Sequence, residues 1–222
     1  MKIKIISHVT AETLFEYEEE DNTLAKTLNA AILAGIDLGG AELAQLIWPK
    51  AGLQKTNLAG SNLQAAVLKE ADLTRANLAG SNLTRAVLQK AVLKEANLQR
   101  CFLIRADLSK ANLQGACIRW SDLSGAYLAW ANLQGANISA SILQGADLQG
   151  ADLAGANLAS TNLAAAGLVG ANLVGANLAG AILQGTSFRK ARMDGVNLEG
   201  ANMQGADFDG VIWTSGTYID AT

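Results

Sequence analysis

Every fifth residue of this chain is apolar between residues 33 and 213, and we call this residue the centre. The series of centres begins at Leu33, ends at Trp213 and contains 37 positions, with no insertion or deletion. The residue two before each centre is usually Ala, and the residue one before it is mostly Asn or Asp. The two residues after the centre are variable and polar. The pattern is therefore a tandem repeat of five residues.

A period of five matches neither an α-helix nor a flat β-strand. A helix repeats every 3.6 residues and a strand every 2, so a helical stripe of centres would spiral around the cylinder. The pattern instead requires one large and one small residue in every five to point inward. A chain that turns a corner every five residues meets this requirement, and its coils would stack at ~4.8 Å, the usual spacing of strands. The pattern predicts an all-β solenoid.

The repeated motif Ala-(Asp/Asn)-Leu-X-X, as in Ala71 to Arg75 and Ala76 to Gly80, resembles the pentapeptide-repeat family. The resemblance covers about four-fifths of the chain. It implies a right-handed β-helix of square cross-section, in which four corners close a coil of 20 residues. We expect this quadrilateral β-helix over residues 36–213, as about nine coils and ~43 Å long. Residues 1–35 would form an N-terminal cap, and residues 214–222 a C-terminal cap or tail.

Columns of buried centres should stabilise the solenoid. Burying one Leu contributes roughly 1.5–3 kcal/mol, so several dozen centres can offset the ordering entropy of the chain. The second inward position must be small because the interior is narrow, and Leu there would overpack the core at a cost of roughly 1–3 kcal/mol. The centres that we expect in the structural core include Leu73, Leu78, Leu83, Leu88, Phe188, Phe208 and Trp213.

The first 35 residues lack the repeat, and a cap is expected there because a solenoid exposes strand edges at its ends. Two alternating segments, Lys2 to Ile5 and Leu14 to Glu18, predict a β-hairpin that turns near residues 10–13. Residues 21–23 then offer N-caps for a short helix from about Leu24 to Ala34, with Gly35 as its C-cap. At the other end, we expect Trp213 and Tyr218 to cover the last column of centres.

The sequence contains few residues of the types that form catalytic or metal-binding sites. His8 is the only histidine, and Cys101 and Cys117 give neither a disulfide framework nor a zinc spacing. We therefore predict no catalytic residue, no metal site and no cofactor, and we expect the chain not to be an enzyme. The N-terminus lacks the long apolar core of a signal peptide, and no apolar run reaches the roughly 18–20 residues of a membrane span. The expected location is the cytoplasm, without membrane contact.

Charge is distributed unevenly along the chain. Residues 1–49 carry a net charge of −5, residues 50–119 a net charge of +7, and the remainder −5. A basic block can mark a site for nucleic acid or for an acidic partner. On a square solenoid these residues fall on several corners, as a belt rather than a stripe, although Lys50, Lys90, Lys110 and Trp130 share one corner. The basic candidates for partner binding are Lys50, Lys69, Lys90, Lys94, Arg105 and Lys110.

Two aromatic residues complete the candidate set. Trp120 and Trp130 occupy variable, outward positions, with Phe102 and Tyr127 nearby in the sequence. Exposed aromatic side chains are enriched at interface hot spots. The two Trp residues belong to opposite faces, so they cannot form one patch on a monomer. After about residue 140 the outward positions become mostly Gly, Ala and Gln, a smooth surface that would suit a flat partner or a second copy.

The sequence favours a non-catalytic interaction scaffold that binds an unidentified protein, as a monomer or a weak dimer. One alternative comes from the resemblance, since some members of the family mimic duplex DNA and bind type II topoisomerases, which protects gyrase from quinolones. Those members are markedly acidic along the rod, whereas the middle of this chain is basic. Another alternative is that the basic belt binds nucleic acid directly. We favour a protein partner over nucleic acid.

Overall fold

The computed structural model describes residues 1–213, and its main body is a stack of coils of 20 residues each. Parallel β-bridges connect residues 20 positions apart, from Glu42 with Asn62 to Arg192 with Ile212. Each coil contains four units of five residues and therefore has four sides. We number the sides by their first centres: side 1 begins at Leu38, side 2 at Leu43, side 3 at Trp48 and side 4 at Leu53, and each continues at every twentieth residue.

The Asn or Asp before each centre is explained by the hydrogen bonds of the repeat. In the unit 71–75, the N–H groups of residues 71, 72, 73 and 75 donate to backbone carbonyl oxygens. The remaining N–H group, that of Thr74, donates to Oδ1 of Asp72 at 3.0 Å. The same bond joins the N–H of Ala79 to Asn77 at 3.3 Å. The carboxylate or amide oxygen thus satisfies the one backbone donor that the stacked coils leave over.

The core is a set of columns of large centres with small residues between them. Leu73, Leu78, Leu83 and Leu88 are fully buried, and so are the Ala residues two positions before most centres. Near the C-terminal end, the ring of Phe188 stacks on that of Phe208, with centroids 5.1 Å apart and planes inclined by 7°. Phe208 and Trp213 are only partly buried, like Leu198 and Met203, because these four centres belong to the last coil of the described residues.

A β-hairpin precedes the coils. Strand β1, Lys2–Ile6, pairs antiparallel with strand β2, Thr13–Glu18, and the register places Ile5 opposite Phe15. The hairpin is joined to the first coil by main-chain bonds, since the N–H of His8 donates to the carbonyl of Gly40 and the N–H of Glu42 donates to that of Ile6, each at 2.8 Å. These bonds extend the backbone pairing of the first coil into the hairpin.

Helix α1, Leu24–Leu33, follows the hairpin. Thr23 is its N-cap, and the Thr23 side chain accepts a hydrogen bond from the N–H of Lys26. The helix ends one residue earlier than the sequence suggested, because Ala34 rather than Gly35 is the C-cap. Gly35 follows with φ +69°, and its N–H and that of Ile36 donate to the last turn, the αL termination that glycine permits.

One face of helix α1 is buried and the other is exposed. Thr27, Leu28 and Ala31 are buried, and Leu24 and Ile32 pack partly against the core. Leu33, the first member of the apolar series, lies in the last helical turn and is exposed. The five-residue period therefore starts one unit before the first coil. Tyr218 and the predicted C-terminal cap or tail, residues 214–222, lie outside the described residues.

Replacing Ala111 by Leu should destabilise the fold because Ala111 is an inward, fully buried residue. Added methylenes in a well-packed core cost roughly 1–3 kcal/mol. Chemical denaturation would measure this loss in the free energy of unfolding. The control is Ala129→Leu, at an outward position close to it along the rod, which should change the free energy by less than about 0.5 kcal/mol. Equal losses in the two variants would contradict the narrow interior.

Candidate interaction surface

The corner residue, two positions after each centre, adopts the left-handed conformation throughout the solenoid. Values of φ lie between +55° and +69° from Gly40 to Gly210. This conformation suits glycine and costs roughly 1–2 kcal/mol for other residues. Between residues 45 and 130 most corners nevertheless carry long or aromatic side chains, whereas between 135 and 210 most carry Gly. The middle coils thus retain backbone strain at corners that display large side chains.

Four corner cations frame side 3 in two neighbouring coils. Arg85 and Arg105 lie one coil apart along one edge of this side, and Lys90 and Lys110 lie one coil apart along the other edge. All four side chains are exposed. Each pair is separated along the rod by one strand spacing, ~4.8 Å, so that like charges lie side by side. Side 3 therefore carries four exposed cations in two neighbouring coils, within the belt that the sequence predicts over several corners.

Intramolecular ion pairs neutralise cations near this cluster but not the cluster itself. Lys50 pairs with Glu70 at 3.8 Å, and Arg75 pairs with Glu95 at 2.7 Å. The bond from Arg75 lowers the pKa of Glu95, which keeps that carboxylate charged. In residues 1–213, no ion pair reaches the four cations of side 3.

The acidic residue between the four cations is engaged by neutral donors. Asp107 lies in the middle of side 3, where its Oδ1 accepts from the N–H of Ser109 at 3.0 Å. Its Oδ2 accepts from Nε2 of Gln89 at 2.5 Å. These two bonds hold the carboxylate against the turn and the neighbouring coil. The cations along both edges therefore remain available to an acidic ligand.

Two aromatic residues continue the same side in the next coil. Tyr127 is 52% exposed and Trp130 is 61% exposed. The indole of Trp130 lies on the backbone of Gly150, one coil further on, where a Cβ atom at residue 150 would come within 2.6 Å of the ring. The ring therefore packs on Gly150, where no side chain intervenes, and most of the Trp130 side chain stays exposed. We call the six residues Arg85, Lys90, Arg105, Lys110, Tyr127 and Trp130 the basic–aromatic surface.

The second predicted Trp lies at the diagonally opposite edge, between sides 1 and 2. The guanidinium carbon of Arg119 is 4.0 Å from the ring centroid of Trp120, and that of Arg100 is 5.5 Å from it. These cation–π contacts hold the indole between two cations. Phe102, on the adjoining side 2, is exposed. Trp120 and Trp130 therefore belong to separate surfaces, as their sequence spacing indicated.

The structure brings together only part of the predicted candidate set. Lys90, Lys110 and Trp130 share one edge of side 3, Arg105 lies on its other edge, and Lys69 lies on the same side one coil earlier. Lys94 is on side 4, Lys50 is neutralised by Glu70, and Trp120 is on the far edge. The set omitted Arg85 and Tyr127. The sequence could have included them, because residues 20 positions apart lie on the same side of the coil, and this spacing places both residues on side 3.

Groups with catalytic potential occupy structural positions. Burial raises the pKa of the Cys101 thiol to about 11, so that it is protonated at neutral pH. The imidazole Nε2 of His8 is hydrogen-bonded to the carbonyl of Gly60, at the hairpin–coil junction. Within residues 1–213, no group of three His, Cys, Asp or Glu side chains is arranged to hold a metal ion. No helix in this part of the chain is long and apolar enough to cross a membrane.

Solved structures of other proteins are similar to this chain. HetL, a pentapeptide repeat protein involved in heterocyst differentiation regulation in the cyanobacterium Nostoc sp. strain PCC 7120, is 29% identical over 88% of this chain and 99% of its own, with a TM-score of 0.38. Trypsin-treated QnrB1, a plasmid-mediated fluoroquinolone resistance protein, is 22% identical over 78% of this chain and 89% of its own, with a TM-score of 0.69. The likeness to QnrB1 shows a shared fold.

The sequence comparison agrees with the coil geometry. No curated protein sequence matches the chain. The family model described as pentapeptide repeats matches in eight copies, over residues 51–89, 86–125, 121–158, 131–168, 141–178 and 171–210. These segments span well over half of the chain and carry the stacked coils. The protein therefore belongs to the pentapeptide-repeat family.

Proposed function

We propose that this protein is a non-catalytic scaffold that binds an acidic protein through its basic–aromatic surface. The scaffold is a right-handed rod of about nine coils, with the hairpin and helix α1 as its N-terminal cap. The observation that carries the proposal is the set of large corner side chains on side 3, at positions where the backbone favours glycine. Selection for stability alone would favour Gly at these corners, as in the second half of the rod.

The composition of the surface indicates the chemistry of the partner. Four unpaired cations attract carboxylates and accelerate encounter with an acidic surface. Tyr127 and Trp130 add apolar area of the kind that dominates interface energetics. Since the ring of Trp130 already packs on the backbone of Gly150, we expect little side-chain entropy to be lost on binding. We therefore expect a protein surface with acidic residues around an apolar or aromatic residue.

The alternative function is protection of a type II topoisomerase. It is considered because QnrB1, which shares the fold, is a fluoroquinolone resistance protein. The charge of the middle coils argues against it, since residues 50–119 carry a net charge of +7 and a mimic of DNA must be acidic. A gyrase supercoiling assay with added quinolone distinguishes the two functions. Rescue of supercoiling by this protein would contradict our proposal.

Changing Arg85, Lys90, Arg105 and Lys110 together to Gly should abolish partner binding without unfolding the protein. Glycine relieves the left-handed strain, so the free energy of unfolding should stay the same or rise, by up to about 1 kcal/mol per corner. Affinity capture from a nuclease-treated lysate of the source organism, followed by mass spectrometry, measures binding. Denaturation measures stability.

The matched control is Lys50→Gly with Arg75→Gly, which removes cations from equivalent corners that are already paired with Glu70 and Glu95. This variant should capture the same partner as the wild type. Capture that persists in the four-site variant would contradict the proposal. Capture that disappears after nuclease treatment would instead favour nucleic acid.

Gly150→Ala should weaken partner binding as strongly as Trp130→Ala. The added Cβ would collide with the indole, which must leave its place on the backbone. Gly155→Ala is the control, because residue 155 has nearly the same φ, +64° against +63°, but open space around it. Both Ala variants carry the same backbone strain of roughly 1–2 kcal/mol. Only binding, measured as the dissociation constant of the captured partner, should therefore differ between them. If Gly150→Ala and Gly155→Ala bind the partner equally well, binding does not require the position of the Trp130 ring on Gly150.

A further inference from the structure

The outward residues of side 2 form a column whose chemistry is symmetric about Ile142. One coil at a time, the part of this column from residue 102 to residue 182 contains Phe102, Asp122, Ile142, Asn162 and Ile182. The three apolar side chains are 53%, 41% and 42% exposed, in chain order. In this part of the column, apolar residues stand at both ends and in the middle, and the two residues between them are polar. A second copy that runs in the opposite direction would present the same order of chemistry.

We propose that a second copy of this chain packs on side 2 with its rod antiparallel to the first, around a twofold axis beside Ile142. In this register Ile142 contacts Ile142 of the second copy, and Phe102 contacts Ile182 of the second copy. Each contact between different residues occurs twice, as twofold symmetry requires. The exposed apolar column is thereby removed from water, which is the main driving force for association.

The two polar residues of the column have unused hydrogen-bonding atoms that the second copy satisfies. Oδ1 of Asp122 accepts from the N–H and the hydroxyl of Ser124, and Oδ1 of Asn162 accepts from the N–H of Ala164. In the described part of the chain, Oδ2 of Asp122 and Nδ2 of Asn162 have no partner, since their neighbours in the column are apolar. The antiparallel register places Asn162 opposite Asp122 of the second copy, where the amide donates to the carboxylate.

The edges of side 2 are also complementary in size. In the same register, Trp120 lies opposite Ser160 of the second copy on one edge. On the other edge, Arg105 lies opposite Gly185 of the second copy. Large corners in the middle of one rod thus meet small corners in the second half of the other, which lets the two flat sides approach closely.

Charge favours the antiparallel arrangement over a parallel one. Two parallel rods related by a twofold axis would place each residue of the column opposite itself, so that Asp122 would meet Asp122 and the basic coils would meet each other. The antiparallel arrangement brings residues 50–119, with net charge +7, towards residues 160–222 of the second copy, with net charge −2. Such complementarity fixes the register of an interface.

Sedimentation equilibrium of the purified full chain tests the dimer. The wild type should dimerise reversibly, and Ile142→Asn should raise the dimer dissociation constant at least tenfold because it places an amide at the centre of the apolar contact. Asn is compatible with the fold, since Asn62 and Asn82 occupy the same column. Ile47→Asn, on side 3, is the control and should dimerise like the wild type. A wild type that stays monomeric into the millimolar range would overturn the proposal.

A charge exchange tests the register. Asn162→Asp alone should raise the dissociation constant at least tenfold, because it places a carboxylate opposite Asp122 of the second copy. Adding Asp122→Asn in the same chain should restore dimerisation to within about threefold of the wild type, since an amide again faces a carboxylate. If the double variant associates as weakly as the single one, the antiparallel register is wrong. If Asn162→Asp has no effect, the two residues do not meet.

The dimer does not depend on the partner-binding function. It uses side 2, whereas the basic–aromatic surface lies on side 3, so Ile142→Asn should capture the acidic partner as the wild type does. Conversely, Lys90→Gly with Lys110→Gly, on the edge of side 3 away from side 2, should weaken capture of the partner and still dimerise like the wild type. Loss of both activities in Ile142→Asn, with native circular dichroism, would contradict the separation of the two surfaces.

Discussion

The narrow interior of the coil is the constraint on which the rest of the structure depends. Backbone bonds between residues about 20 positions apart fix the distance between coils, and the space inside accommodates one large and one small side chain from each unit. Four of the five N–H groups in a unit bond to other main-chain atoms, and the side chain of Asn or Asp takes the fifth. The motif is therefore a direct consequence of this geometry. The two residues after the centre, and the residue before it where Asn or Asp is replaced, face outward and can vary, and they are the ones that can carry function.

The free positions are used differently in the two halves of the rod. In the middle coils the corners carry cations and aromatic rings despite their left-handed backbone, whereas the later corners return to glycine. One half therefore displays large side chains, and the other is smooth. The proposed partner-binding surface on side 3 and the proposed antiparallel dimer on side 2 both depend on this division. The first would use the long side chains, and the second would fit them against small ones.

The period of five was sufficient to predict the solenoid, its core columns and the change of structure near residue 35, because each depends on burial at fixed spacing. The burial of Leu73 and Leu88 needs no more information than the pattern. The grouping of Arg85 with Tyr127 was within reach once four sides were assumed. The position of the Trp130 ring on Gly150 could not be predicted from the sequence, because it depends on a side-chain torsion and on the next coil. The end of helix α1 and the exposure of Leu33 also required the structure, since the apolar series continues into the helix without a break.

Hydroxyl-radical footprinting of the protein with and without its captured partner tests the central claim most directly. The method reports the solvent exposure of individual aromatic side chains, and this chain places its exposed aromatic residues on different sides. Our account predicts that the partner protects Tyr127 and Trp130 from oxidation and leaves the reactivity of Phe102 and Trp120 unchanged. Protection of Phe102 and Trp120, with Tyr127 and Trp130 still reactive, would show that the partner binds a surface other than side 3.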